Sequence, residues 1–161
     1  MELKGIIDED FVNYKKPSMF LATCYCDWKC LTEKNLDISI CQNSELVKQK
    51  NIEISVNKII ERYLNNPISQ SIVIGGLEPV KQFGDVINFI YELRITYNCS
   101  DNIVIYTGYY PEEIKEELSS LLQYKNIVVK FGRFEINSEK RFDKILGIWL
   151  NSSNQWAEKI S

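Results

Sequence analysis

The chain has 161 residues, 45% of them hydrophobic and 25% charged, with a formal net charge of −3 and no histidine. Those proportions suit a soluble globular protein, and the length suits one domain, 1–161, with a real core. The slightly acidic balance gives no electrostatic reason to expect a nucleic-acid or membrane partner. No apolar run approaches the roughly 18 residues of a membrane span. The first ten residues carry neither a basic nor an apolar leader segment, so a cytoplasmic location is expected. Without histidine, two-Cys two-His zinc fingers and imidazole acid–base schemes are excluded. Catalysis would rest on carboxylates, Lys, Tyr, Cys or a cofactor.

Taken in chain order, Leu3 to Ile7 predicts a short strand and Ser18 to Thr23 a stronger one. Cysteines follow at once: Cys24, then Cys26-Asp27-Trp28-Lys29-Cys30, then Cys41-Gln42-Asn43, with Thr32 to Ser39 reading as an inserted loop. Val56 to Leu64 predicts a helix, because Val56, Ile59, Ile60 and Tyr63 share one face. Ser55 is its expected N-cap, and Asn65-Asn66-Pro67 its stop. Ser71 to Gly75 reads as a buried parallel strand. Pro79 to Tyr97 predicts a long helix, with Val80, Phe83, Val86, Ile87, Ile90 and Leu93 at three- and four-residue intervals. Asn102 to Thr107 is a further strand, closed by Gly108. Pro111 to Leu122 is a helix whose first turn carries Glu112 and Glu113, favourable for its dipole. Ile127 to Phe131 is the last predicted strand. Alternating strands and helices predict an α/β fold of parallel strands with helical crossovers, without repeats or a domain boundary.

Ligands of parallel sheets gather at the carboxyl ends of strands. Three distinctive loops fall there: the cysteines, Gly75-Gly76-Leu77-Glu78-Pro79, and Thr107-Gly108-Tyr109. Five cysteines fit a disulfide framework poorly, and reduced clustered thiols are soft ligands for zinc or an iron–sulfur cluster. Four ligands, Cys24, Cys26, Cys30 and Cys41, would make a closed zinc or cluster site in a non-catalytic interaction module. Three would leave an iron open to chemistry. Cys99, far off in sequence, reads as incidental. Trp28 is placed to pack over a bound cluster, and Lys29 reads as loop-exposed.

Cys26-x3-Cys30 with Cys41-Gln42-Asn43 resembles the radical S-adenosylmethionine (SAM) family, whose usual spacing is Cys-x3-Cys-x2-Cys. Gly75-Gly76-Leu77-Glu78-Pro79 is similar to its Gly-Gly-Glu-Pro motif, with one residue more. Ile105 to Tyr109 resembles the Tyr-Thr-Gly-Tyr strand end of anaerobic ribonucleotide reductase activating proteins. Gly147 and Ser152-Ser153-Asn154-Gln155 resemble that group's C-terminal Gly-Ser-Ser-Asn-Gln. The motifs run in the same order, over about residues 18 to 155.

The resemblance implies an incomplete (β/α) barrel in which Cys26, Cys30 and Cys41 hold a [4Fe–4S] cluster. Gly75, Gly76, Glu78, Thr107, Gly108 and Tyr109 would bind SAM, and no catalytic residue is implied beyond the cluster ligands. Its implied partners are a glycyl radical enzyme, an anaerobic ribonucleotide reductase, and an electron donor such as flavodoxin or ferredoxin. Two departures stand out. Ten residues separate Cys30 from Cys41, a lengthening that costs only about 1 kcal/mol of loop entropy. The family's Asp-Gly-x-Phe is Phe131-Gly132-Arg133-Phe134 here, so its Asp is absent.

Overall fold

The computed structural model describes all 161 residues. Six strands form one mixed sheet: β1 (Gly5–Asp10), β2 (Ser18–Thr23), β3 (Ser71–Gly76), β4 (Asn102–Tyr106), β5 (Ile127–Phe131) and β6 (Trp156–Lys159). Their spatial order is β6-β5-β4-β3-β2-β1. The four inner strands are parallel, in register at Ala22–Gly75, Ile74–Ile105 and Tyr106–Lys130. The two margins pair antiparallel. β3, β4 and β5 are runs of Val and Ile, and β2 carries Met, Phe, Leu and Ala, because both faces of these strands are covered.

Side-chain alternation sorts those faces. Met19, Leu21, Ile72, Ile74, Ile103, Ile105, Ile127 and Val129 pack against three helices, α1 (Val56–Leu64), α2 (Phe83–Tyr91) and α3 (Lys115–Leu121). Val73, Val104 and Val128 face the other way, onto Tyr14, Leu146, Leu150 and Ala157. All three helices join one core, so every crossover lies on the same side of the sheet. A partial barrel shares that single-sided winding. No barrel closes here: β1 and β6 lie at opposite margins of an open α/β sheet.

Several elements match their sequence expectation in position. β2, β5 and α1 have the expected bounds, and Ser55 Oγ accepts the Lys58 amide at 3.4 Å. Ser55→Ala is expected to cost about 0.5 kcal/mol in urea denaturation, because that capping bond is long and exposed. Others differ. The first strand divides at Lys4: Glu2–Leu3 pairs with Ile52–Glu53, whereas β1 pairs with β2. The expected 79–97 helix is a 3₁₀ turn (Pro79–Gln82), then α2, then a five-residue π segment (Glu92–Thr96). Arg94 anchors that segment by donating to the carbonyls of Lys125, Cys99 and Asp101 at 2.7–3.1 Å. Ile114, at φ −132°, separates a 3₁₀ turn (Pro111–Glu113) from α3. No helix is long and apolar enough to cross a membrane.

Candidate functional site

At the carboxyl edge of the parallel strands, the loops surround a cavity of about 390 Å³. Cys26, Cys30 and Cys41 all line it, and so do Trp28, Asn43, Gly76, Glu78, Thr107, Gly108 and Lys130. Cysteines fifteen residues apart thus meet the glycine-rich loop after β3 and the Thr-Gly loop after β4. The short helices Lys29–Thr32 and Ser44–Lys48 carry the chain through the cysteine region. Trp28 enters the first with φ 59°, a left-handed conformation uncommon for an aromatic residue and frequent at functional sites.

The thiols are prepared for positive charge. The Trp28 amide donates to Cys26 Sγ at 3.3 Å and the Asn43 amide to Cys41 Sγ at 3.4 Å. Burial pushes the Cys26 thiol up to about 12, and burial, then the neighbouring Cys41, also raises Cys30. Such thiols stay neutral until a bound cation stabilises the thiolate. No three or more Cys, Asp or Glu side chains are arranged around a single ion position. A cluster does not require that arrangement, since each of its thiolates meets a different iron. Three soft sulfur donors around one cavity therefore fit an iron–sulfur cluster better than lone zinc.

Glu78 ties the loops together. Its amide donates to the Tyr25 carbonyl at 2.7 Å, within the cysteine segment. Its Oε1 accepts the Thr107 hydroxyl at 2.8 Å and the Val80 amide at 3.1 Å; its Oε2 accepts the Gly108 amide at 2.8 Å. Burial pushes the Glu78 carboxyl above the usual carboxylate pKa, and the bonds from Gly108, Thr107 and Val80 oppose that shift. The carboxylate caps the 3₁₀ turn and also has one unfilled acceptor position, on Oε2, at the cavity wall. Asn43 Nδ2 donates to the Gly76 carbonyl, joining the cysteine loop to the glycine loop. Gly76 has φ +89°, and a Cβ there would lie 3.0 Å from Ala22 Cα, so a larger residue is excluded.

Not every expected residue faces the cavity. Gly75 lies beneath it, in contact range of Phe20 and Tyr106. Tyr109 lies outside this cavity but beside it, lining a small pocket with Cys26, Cys30, Glu78 and Gly108, and its hydroxyl donates to Asp27. Cys24 is buried apart from the cavity: its amide donates to Gln82 Oε1 at 2.8 Å, and burial, then the charge of Glu2, raises its thiol. β2 ends at Thr23, so strand alternation does not carry Cys24 and Cys26 to one face, and the four-cysteine site is not assembled. Lys29 is also not free in solvent: it pairs with Glu113 at 3.2 Å and lies 4.7 Å from the Tyr109 ring centre. Lys130 was not singled out from the sequence. Its signal was a lone lysine within an apolar strand whose five residues are all buried.

The insertion between Cys30 and Cys41 is held in place by charge. Arg133, 7% exposed, grips Glu113 with both terminal nitrogens, at 2.8 and 2.6 Å, and donates to Glu33 at 3.0 Å. Lys34 pairs with Glu135 at 2.9 Å. The C-terminal Asn154 donates to the Arg133 carbonyl and Gln155 to that of Gly132, at 2.9 and 3.2 Å. The Ser-Ser-Asn-Gln segment thus braces the loop that pins the insertion. The Arg133 guanidinium holds the Glu113 carboxyl down to about 2. The stability of this pair is present above the free carboxyl value of 4.5 and is lost as pH falls toward 2. Arg133→Met is expected to cost about 2 kcal/mol in urea denaturation. It should also speed amide hydrogen exchange across residues 32–40; unchanged exchange there would show that the insertion holds without Arg133.

The donor set and its setting define an iron–sulfur binding protein. A model of the family described as 4Fe-4S single cluster domain matches residues 17–157, nearly the whole chain. The chain belongs to that family, a radical SAM-associated iron–sulfur domain. No curated protein and no solved structure matches it.

Proposed function

We propose that Cys26, Cys30 and Cys41 hold the cluster with one iron free of protein ligands, and that the protein is a radical SAM activating enzyme. The bound cluster would supply one electron to SAM, which divides into methionine and a 5′-deoxyadenosyl radical. That radical would take a hydrogen atom from a glycine of a partner enzyme, an anaerobic ribonucleotide reductase. The observation that carries this reading is the shared cavity: the three thiols meet Gly76, Glu78, Thr107 and Gly108 around one volume. About 390 Å³ suits a small cofactor rather than a cofactor plus a large substrate.

The chain's own residues divide the work. Gly76 lets backbone approach the ligand, and Glu78 holds the Thr107–Gly108 loop while keeping one acceptor position for an ammonium group. Trp28 lines the cavity between the first two cysteines. Val12 and Trp149 line the cavity yet are 71% and 64% exposed, so its mouth lies open. An open mouth favours a macromolecular substrate presented from outside, with flavodoxin or ferredoxin as electron donor.

The test is anaerobic reconstitution with iron and sulfide, followed by SAM and a low-potential reductant. The expected product is 5′-deoxyadenosine, with a glycyl radical signal once the reductase is added. A stable cluster that never cleaves SAM would refute the enzymatic reading and leave an iron–sulfur binding protein.

A further inference from the structure

Lys130 and Glu78 are the only charged side chains on the cavity wall, and the proposed function gives Lys130 no task. It stands on β5, where alternation turns Val128 and Lys130 toward the cavity side and Val129 and Phe131 toward the helices. Only 6% of it is exposed. A buried ammonium normally sits against a carboxylate. Lys130 makes no ion pair; its one hydrogen bond goes to the Gly132 carbonyl at 2.9 Å, and the Tyr106 ring centre lies 6.0 Å from Nζ. Two of its three donors have no protein acceptor. Glu78 attracts it from the cavity wall, but both Glu78 oxygens are already bonded to Thr107, Val80 and Gly108.

We propose that Lys130 is the anion-holding residue of this cavity and takes the carboxylate of bound SAM, an assignment that rests on the proposed function above. SAM carries two cationic groups, a sulfonium and an ammonium, and a single carboxylate. The cavity offers the complementary pair: Glu78 with an unfilled acceptor position, and Lys130 with unfilled donors. A carboxylate has acceptor positions on both oxygens, so one can ligate iron while the other accepts from Lys130. Gln155 Nε2 also donates to the Gly132 carbonyl, so Lys130 can turn toward a ligand without stranding that oxygen.

Anaerobic calorimetric titration of the cluster-loaded protein tests this, with SAM and decarboxylated SAM as the two ligands. The proteins are wild type, Lys130→Met and Lys130→Arg, each checked for iron content and cooperative unfolding. Lys130→Met is expected to weaken SAM by about 10- to 100-fold. It should leave decarboxylated SAM within about twofold, and Lys130→Arg should restore part of the loss. Equal weakening of both ligands, or of neither, overturns the assignment. Failure of wild type to bind SAM at all would instead overturn the functional reading on which it stands.

Discussion

Replacing Cys26, Cys30 or Cys41 singly by alanine is expected to strip the cluster, whereas Cys24→Ala should leave it loaded. The three thiols share one cavity and two of them already accept backbone amides, whereas Cys24 is buried outside that cavity, its amide bonded to Gln82. Metal–thiolate sites bind with on the order of 10 kcal/mol. Spread over three protein ligands, each thiolate contributes roughly 3 kcal/mol, and its loss weakens retention by more than about a hundredfold. Cys24→Ala should cost about 1 kcal/mol of folding stability through a small void, visible in urea denaturation and not in iron content. Iron and sulfide analysis of the four variants, purified anaerobically, decides it. Loss of iron from Cys24→Ala as complete as from the other three would restore the four-ligand site.

Much of this architecture was legible in the chain because its signals are local. Runs such as Ile72-Val73-Ile74 and Ile103-Val104-Ile105 are buried on both faces and read as parallel strands without further context. α1 announces itself through Ser55, its apolar face and the following Asn-Asn-Pro. β6 left no comparable trace: Trp-Ala-Glu-Lys has two exposed charged residues and becomes a strand by pairing with β5. The hairpin Arg141–Asp143 with Ile148–Leu150 is similar, being organised by Asp143, which accepts the amides of Ile145, Leu146 and Ala157, each at 2.9 Å. The motif loops were placed correctly at the carboxyl edge, but which side chains face the cavity was not. Strand alternation failed at Cys24 because the strand had already ended. The insertion resembled a solvated loop because Glu33 finds Arg133 a hundred residues later, a pairing no local pattern carries.

Lys130→Met is expected to make the ligand-free protein more stable at pH 7, by about 3 kcal/mol. Burial lowers the Lys130 ammonium from the usual 10.5 to about 8. Each unit corresponds to about 1.4 kcal/mol of preference for the neutral form. Because the folded value is depressed, the unfolded chain binds the extra proton between about 8 and 10.5, so wild-type stability rises with pH across that window. The advantage of the methionine variant is therefore full below about 8 and gone above about 10.5. Glu78 is the first group whose charge opposes the shift, Cys30 joins it only where its thiol ionises, and the Tyr106 ring lies alongside; none forms an ion pair with Lys130. The Gly132 carbonyl keeps its bond from Gln155 in the variant, so no acceptor is orphaned to offset the gain. Urea denaturation of the reduced, cluster-free protein at pH 7 and again near pH 10 measures both parts. Equal stability of the two proteins at pH 7 would mean that the ammonium is already compensated by water or backbone. A site residue that destabilises its own fold is consistent with a charge kept for a ligand. Saturating SAM should then narrow or reverse the difference in the cluster-loaded protein, because only wild type gains a carboxylate for its ammonium.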